Sequence, residues 1–314
     1  MKVACLFSCL IHVLVSVSLG LDLPTLPRLH DPSTVVEEKG VTWCFSTGNG
    51  VSVLKRDDSG WKHAGEMFRR HELPGWHREK VPENRGHLWA PDVIRAGGKW
   101  WVFYSVSSFG KNRSAIGLAS RSELGPGTAE EPWKDEGVVI TSQREDRYNA
   151  IDPALIADAG RLWMSFGSFW DGIMMVELDP STGMLKDPEV EPLRLAAAPE
   201  IEAPFIHKED GWYHLFVNWG KCCRGVESTY EIRVGRSREI TGPYLDKDGT
   251  PLTAGGGTLL LGTRGRFIGP GHASIYHRSG KPWLMHHYYD REDQGRSKLR
   301  GLPLKWVNGW PVVE

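Results

Sequence analysis

Short apolar runs alternate with turn signals along the whole chain, and no segment carries a long helical stripe of hydrophobic positions. Residues 42–46, 99–105, 162–167, 213–217 and 283–289 are rich in aromatic or β-branched side chains and bounded by turn residues. Punctuation is dense, at Gly97-Gly98, residues 57–60, residues 179–183 and Asp248-Gly249. The pattern predicts an all-β protein.

The runs also repeat. A polar entry and a proline, at Pro32, Pro91, Pro153 and Pro204, lead into an apolar run, and Ala273 holds that place in a fifth copy. A glycine turn follows, at Gly40, Gly98, Gly160, Gly211 and Gly280. Next comes an aromatic-rich run such as Trp100-Trp101-Val102-Phe103-Tyr104. Copies recur roughly every 60 residues, a period that suggests a propeller blade built from hairpins. Residues 114–120 and 232–237 read as equivalent third strands, each followed by a Gly-Pro turn at Gly125-Pro126 and Gly242-Pro243. The expected fold is a five-bladed β-propeller. Residues 302–313 and the segment before His30 are both candidates to latch the ring, and the sequence does not choose between them.

Composition narrows the setting. Lys2, the apolar stretch 10–17 and the small residues Ser18-Leu19-Gly20 make residues 1–20 read as a secretory signal peptide, too short to span about 30 Å of hydrocarbon. Residues 21–314 are then one domain, secreted to the extracellular space or periplasm, with no membrane partner and a monomeric state expected. Basic and acidic residues balance at 38 and 39, so the basic stripe of a nucleic-acid binder is missing. Fourteen tryptophans favour a carbohydrate ligand, although filling of the sheets accounts for more than half of them. Past residue 20 only Cys44, Cys222 and Cys223 remain, an odd number that excludes a full disulfide framework. Cys222 and Cys223 are either a vicinal bridge or two separate thiols. Asn112-Arg113-Ser114 is a glycosylation sequon.

The repeat brings distant residues to one axis. The position before each anchor is Asp31, Ala90, Asp152, Ala203 and His272; one residue earlier stand His30, Trp89, Ile151, Glu202 and Gly271. Asp31, Asp152, Glu202 and His272 therefore surround one cavity, with Trp89 on its rim. Glycoside hydrolysis needs such a set: a protonated acid for the leaving oxygen and an ionised carboxylate to activate water. A third carboxylate keeps the acid protonated by like-charge repulsion.

His30-Asp31-Pro32-Ser33, Trp89-Ala90-Pro91-Asp92, the block 104–110, Asn149-Ala150-Ile151-Asp152-Pro153, the block 165–170, Glu202-Ala203-Pro204-Phe205-Ile206 and the block 269–274 resemble the endo-α-1,5-L-arabinanases of glycoside hydrolase family 43. The likeness runs from His30 to Pro311. It implies a five-bladed propeller and inverting hydrolysis of arabinan or arabino-oligosaccharides. It further implies Asp31 as general base, Asp152 as the residue that orients the acid and raises its pKa, and Glu202 as general acid. Glu200 is the alternative acid, because strand alternation would keep it on the same face. His272 is implied as ligand of a mostly water-ligated calcium ion, although imidazole suits calcium poorly; no organic cofactor is expected. Trp89 and Phe109 match aromatic sugar platforms, and Asn149, Ser168 and Phe169 fall in blocks that line the central sugar sites. Phe109 and Phe169 could equally pack between blades. The competing readings are an exo-acting α-L-arabinofuranosidase or β-xylosidase on the same fold, and a sugar-binding propeller without catalysis.

Overall fold

The computed structural model describes residues 28–314, so the signal-peptide reading lies outside the described residues. Strands dominate, arranged as five antiparallel sheets in which chain order runs from the inner to the outer edge. Blade 1 comprises Val36–Glu38, Val41–Ser46, Ser52–Asp57 and Gly60–Glu66. Blade 2 comprises His87–Ala96, Lys99–Val106, Ser114–Arg121 and Lys134–Ser142, with Gly48–Asn49 added beside its inner strand. Blade 3 comprises Ala154–Asp158, Arg161–Phe166, Ile173–Leu178 and Leu193–Ala196. Blade 4 comprises Ile201–Glu209, Trp212–Trp219, Glu231–Ser237 and Thr258–Leu261. Blade 5 comprises Phe267–Arg278, Lys281–Asp290, Arg296–Val307 and Trp310–Val313. The five-bladed propeller read from the repeat is the observed architecture.

The aromatic-rich runs are the second strands. Each is sandwiched between neighbouring blades, so both of its faces are buried and no polar alternation is required. Trp100 packs in the core shared with blade 1, while Trp101, facing the other way, packs in the core shared with blade 3. Phe45, Phe103, Phe166 and Phe216, one on the second strand of each of blades 1 to 4, are wholly buried. Five apolar clusters fill the five interfaces between blades.

Among the described residues no strand is exchanged to close the ring. Residues 302–313 fall in the two outer strands of blade 5 rather than in a latch. The segment before blade 1 does the closing: Leu29 N–H donates to Ser297 O, and Ser274 Oγ donates to Ser33 O. Leu29 and Val35 sit in one cluster with Cys44 and Leu54 of blade 1 and Tyr276, Met285 and Leu299 of blade 5. Burial pushes the Cys44 thiol up to about 12, which suits a packing role.

Candidate active site

The position before each anchor has the same backbone in all five blades. Asp31, Ala90, Asp152, Ala203 and His272 have φ of 51°, 42°, 59°, 52° and 58°. This left-handed region is strained for residues other than glycine, and Asp and His enter it more readily than most. In blades 2, 4 and 5 a shift in strand register accompanies it. The kink opens the inner strand at its start.

Side chains from the preceding blade hold each kink. The N–H of Ala90 donates to Thr47 Oγ1 (2.8 Å), that of Asp152 to Ser105 Oγ (2.9 Å) and that of His272 to Asn218 Oδ1 (2.9 Å). Asp31 N–H donates to His287 Nδ1 across the closure between blades 5 and 1 (3.1 Å). Only the junction of blades 3 and 4 departs from this pattern. There Ala203 N–H donates to the Asp152 carboxylate itself, at 3.2 Å. The hydrogen bond that joins these blades thus brings Asp152 beside Glu202.

A cavity of about 1200 Å³ opens above the kinks, lined by Asp31, Asp152, Glu202, Trp89, Phe109, Asn149, Ser168 and Phe169 among others. Eight of the nine residues singled out in the sequence therefore line one space. His272 lies behind Asp31, with Nδ1 3.6 Å from the carboxylate and its side chain 11% exposed.

Asp31 is embedded in imidazoles. His30 Nδ1 lies 2.7 Å from Oδ1, and Thr47 Oγ1 donates to Oδ2 at 2.6 Å. Burial alone would raise this carboxyl; the His30 contact overcomes that and holds it well below the usual carboxylate range. An ionised Asp31 only accepts, so His30 Nδ1–H donates to it, which in the neutral imidazole leaves His30 Nε2 to accept the O–H of Tyr289 at 2.6 Å. Tyr289 Oη in turn accepts Cys223 N–H at 2.7 Å. A relay of hydrogen bonds therefore runs from the Cys222–Cys223 loop to the carboxylate. Those two cysteines form a disulfide, which selects the vicinal bridge from the two possibilities open in the sequence.

Glu202 and Asp152 lie in the opposite environment. Glu202 is 7% exposed, accepts from Ser168 Oγ at 2.6 Å, and is raised to about 7, first by burial and then by the Asp31 charge. Asp152 is pushed well above its ordinary value by burial, then by Glu202 and Asp31. Two facing buried carboxyls cannot both ionise cheaply, so this pair retains a proton at neutral pH.

Phe109 does not pack between blades: it is 80% exposed on the cavity rim. Phe169 is half-buried on the same wall. Asn149 is buried and accepts from Ser114 Oγ at 2.7 Å. Trp89 lines the wall with its Nε1–H donated to His87 Nδ1 (2.8 Å). Glu200 is not on the face of Glu202. It precedes the strand, so alternation does not govern it; it pairs with Lys221 at 2.9 Å and lines a separate groove with Trp219 and Glu231. The sequon is engaged internally: Asn112 is buried and its Nδ2 donates to the carbonyls of Gln143, Asp146 and Tyr148. Of the 14 tryptophans, Trp89 and Trp170 line the cavity, and most of the others serve the sheets. Trp170, 44% exposed, was legible as an aromatic beside Phe169; Thr47, Tyr289 and His287 carried no local signal.

The ligand atoms of His30, Asp31 and His287 lie within 4.8 Å of one another. As arranged they form a hydrogen-bonded net, because His287 Nδ1 accepts from Asp31 N–H and His30 donates to the carboxylate. Calcium takes about six to eight oxygens. The chain would offer such an ion His272, with the Asp31 carboxylate beside it, and water would have to supply most of the shell.

A propeller with a buried carboxyl pair facing an ionised carboxylate across one cavity has the apparatus of a glycoside hydrolase. Comparison with known proteins gives the family: the sequence pattern of glycosyl hydrolases family 43 matches residues 23–311, and the chain belongs to that family. It is 42% identical to the extracellular exo-α-(1→5)-L-arabinofuranosidase ArbA of Cellvibrio japonicus, over 91% of this chain and 86% of that protein. It is also 42% identical to the extracellular endo-α-(1→5)-L-arabinanase 1 of Bacillus subtilis, over 90% and 87%. The solved structure of a Cellvibrio cellulosa α-L-arabinanase complexed with arabinohexaose superimposes with a TM-score of 0.86 at 39% identity, covering 92% of this chain and 96% of that one.

Proposed function

We propose that this glycoside hydrolase is secreted and cleaves internal α-1,5 bonds of linear arabinan with inversion. The observation that carries the reading is the opposed ionisation of Asp31 and Glu202 in one cavity. Asp31, ionised, takes the proton of a water that attacks the anomeric carbon. Glu202, still protonated near neutral pH, gives its proton to the departing glycosidic oxygen. Asp152 opposes ionisation of Glu202 and fixes the strand that carries it. Aromatic faces at Trp89, Phe109 and Trp170 suit the apolar faces of sugar rings, with Asn149, Ser168 and Phe169 on the wall between them. An ion held through His272 would add positive charge beside Asp31 and favour its ionised form.

Endo action is supported by the size of the cavity, beyond the roughly 300–1,000 Å³ of small-molecule pockets, and by the Bacillus relative. Exo action is the second reading, carried by an equally similar Cellvibrio relative. Linear arabinan separates them. Endo cleavage drops viscosity well before many reducing ends appear, whereas exo cleavage releases reducing sugar with little early loss of viscosity. Inversion requires the β-anomer as the first product in a proton NMR time course; the α-anomer would overturn that part.

A further inference from the structure

The same two inner strands that carry Glu202 and His272 end in a second cluster, on the side of the propeller away from the cavity. His207 and Glu209 lie towards the end of the inner strand of blade 4, and His277 towards the end of that of blade 5. Five residues separate Glu202 from His207 and His272 from His277, or about 16 Å of extended chain. One ligand atom from each of His207, Glu209 and His277 lies within 4.8 Å of the other two.

We propose that His207, Glu209 and His277 form a site for a divalent first-row transition ion, with zinc as the best match, that staples blade 4 to blade 5. Two imidazoles and one carboxylate are the donors such an ion prefers, and water would complete a four-coordinate shell. The spacing suits it. Ligands at about 2.0–2.1 Å from a tetrahedral ion stand about 3.3 Å apart, and His207 Nε2 lies 3.4 Å from Glu209 Oε2. That distance is long for a hydrogen bond yet right for two ligands of one ion. Strand alternation puts His207 and Glu209 on one side of their strand. Trp306 stacks on the His207 ring at 5.7 Å and 11°, which fixes its orientation. The His277 ring, exposed and 5.7 Å away, is free to complete the set.

The test uses untagged full-length enzyme stripped with a chelator and then dialysed against zinc chloride. Wild type is expected to retain about one more zinc per chain than His277→Ala or Glu209→Gln, measured by elemental analysis. Zinc at about 100 times its dissociation constant is expected to raise the wild-type Tm by about 5 °C and to leave both variants unmoved. Arabinan hydrolysis by zinc-free His277→Ala should equal that of zinc-free wild type. Equal zinc retention by all three proteins, or retention without a difference in Tm, overturns the proposal. Because His277 is exposed, its variant is expected to keep the wild-type fold, and a lack of arabinan activity in the untreated wild type would count against the function proposed above rather than against this site.

Discussion

Asp31 and Glu202 stand at equivalent ends of two inner strands and face the same cavity, yet their surroundings push them in opposite directions. Around Asp31 the neighbours are His30, His272, His287 and the Thr47 hydroxyl. Around Glu202 they are Ser168 and a second buried carboxyl, Asp152, with no cation in hydrogen-bond contact among the described residues. Burial raises both groups; only at Asp31 does a close imidazole outweigh it. The propeller repeat decides where a carboxyl stands. Its neighbours, the adjacent His30 above all at Asp31, decide whether it stays ionised or holds a proton.

The comparison breaks most completely when either carboxyl is neutralised. Glu202→Gln and Asp31→Asn should each lower kcat on linear arabinan by about 10²–10⁴-fold with little change in KM, read from reducing-end release. Both replacements preserve shape, so unaltered thermal unfolding would separate lost chemistry from lost fold. If either variant keeps full activity, its assigned role fails.

Much of this contrast was visible in the sequence, but unevenly. The anchors Pro32, Pro91, Pro153 and Pro204 gave the blade phase, and the residues before them included all three carboxyls. The ring of kinked residues was implicit in the same phase. What escaped notice comes from the second strands or the residue just past one. Thr47, Asn218, His287 and Tyr289 lie far along the chain from the groups they hold, and no local pattern marks a side chain that catches another blade's N–H. Glu200 shows the opposite failure: alternation was applied one residue before the strand begins. The burial of Asn112 could not be read from its sequon, because a three-residue motif says nothing about burial. The closing of the ring was half legible: the segment before His30 was one of two candidates, and the choice between them rests on side-chain packing across blades 1 and 5.

A smaller change should appear when the second buried carboxyl is neutralised. As the proposed general acid Glu202 must be protonated, and its value of about 7 predicts that wild-type activity falls as pH rises through about 7. Asp152→Asn leaves Glu202 without the buried carboxyl with which it shares a proton, so the basic limb of the kcat/KM profile should move to lower pH. A loss of about tenfold or more at pH 7 should accompany the move. If the limb stays in place while activity falls, Asp152 acts on Glu202 through orientation alone.

The other side of the comparison is sharpened by His30→Gln, which removes the closest imidazole from Asp31. As the proposed general base Asp31 must be ionised, and its depressed pKa predicts an acidic limb well below the ordinary carboxylate range. Without His30 that limb should rise to higher pH, with a loss of about tenfold at pH 5 and much less at pH 7.

Tyr289→Phe should have the smallest effect and the most specific one. Tyr289 touches neither Asp31 nor Glu202 by hydrogen bond; its O–H donates to His30 Nε2 and its oxygen accepts Cys223 N–H. Loss of the hydroxyl leaves His30 Nε2 without its donor, so less of the imidazole population keeps Nδ1–H pointed at Asp31. One neutral hydrogen bond contributes about 0.5–1.5 kcal/mol, which corresponds to about a two- to tenfold loss in kcat. The acidic limb should move in the direction seen for His30→Gln but by less, while the basic limb at about 7 stays where it is. A shift of both limbs would mean that Tyr289 supports the cavity as a whole. A shift of the acidic limb alone would mean that it acts through His30, and that the base is tuned from a residue on the far strand of the ring closure.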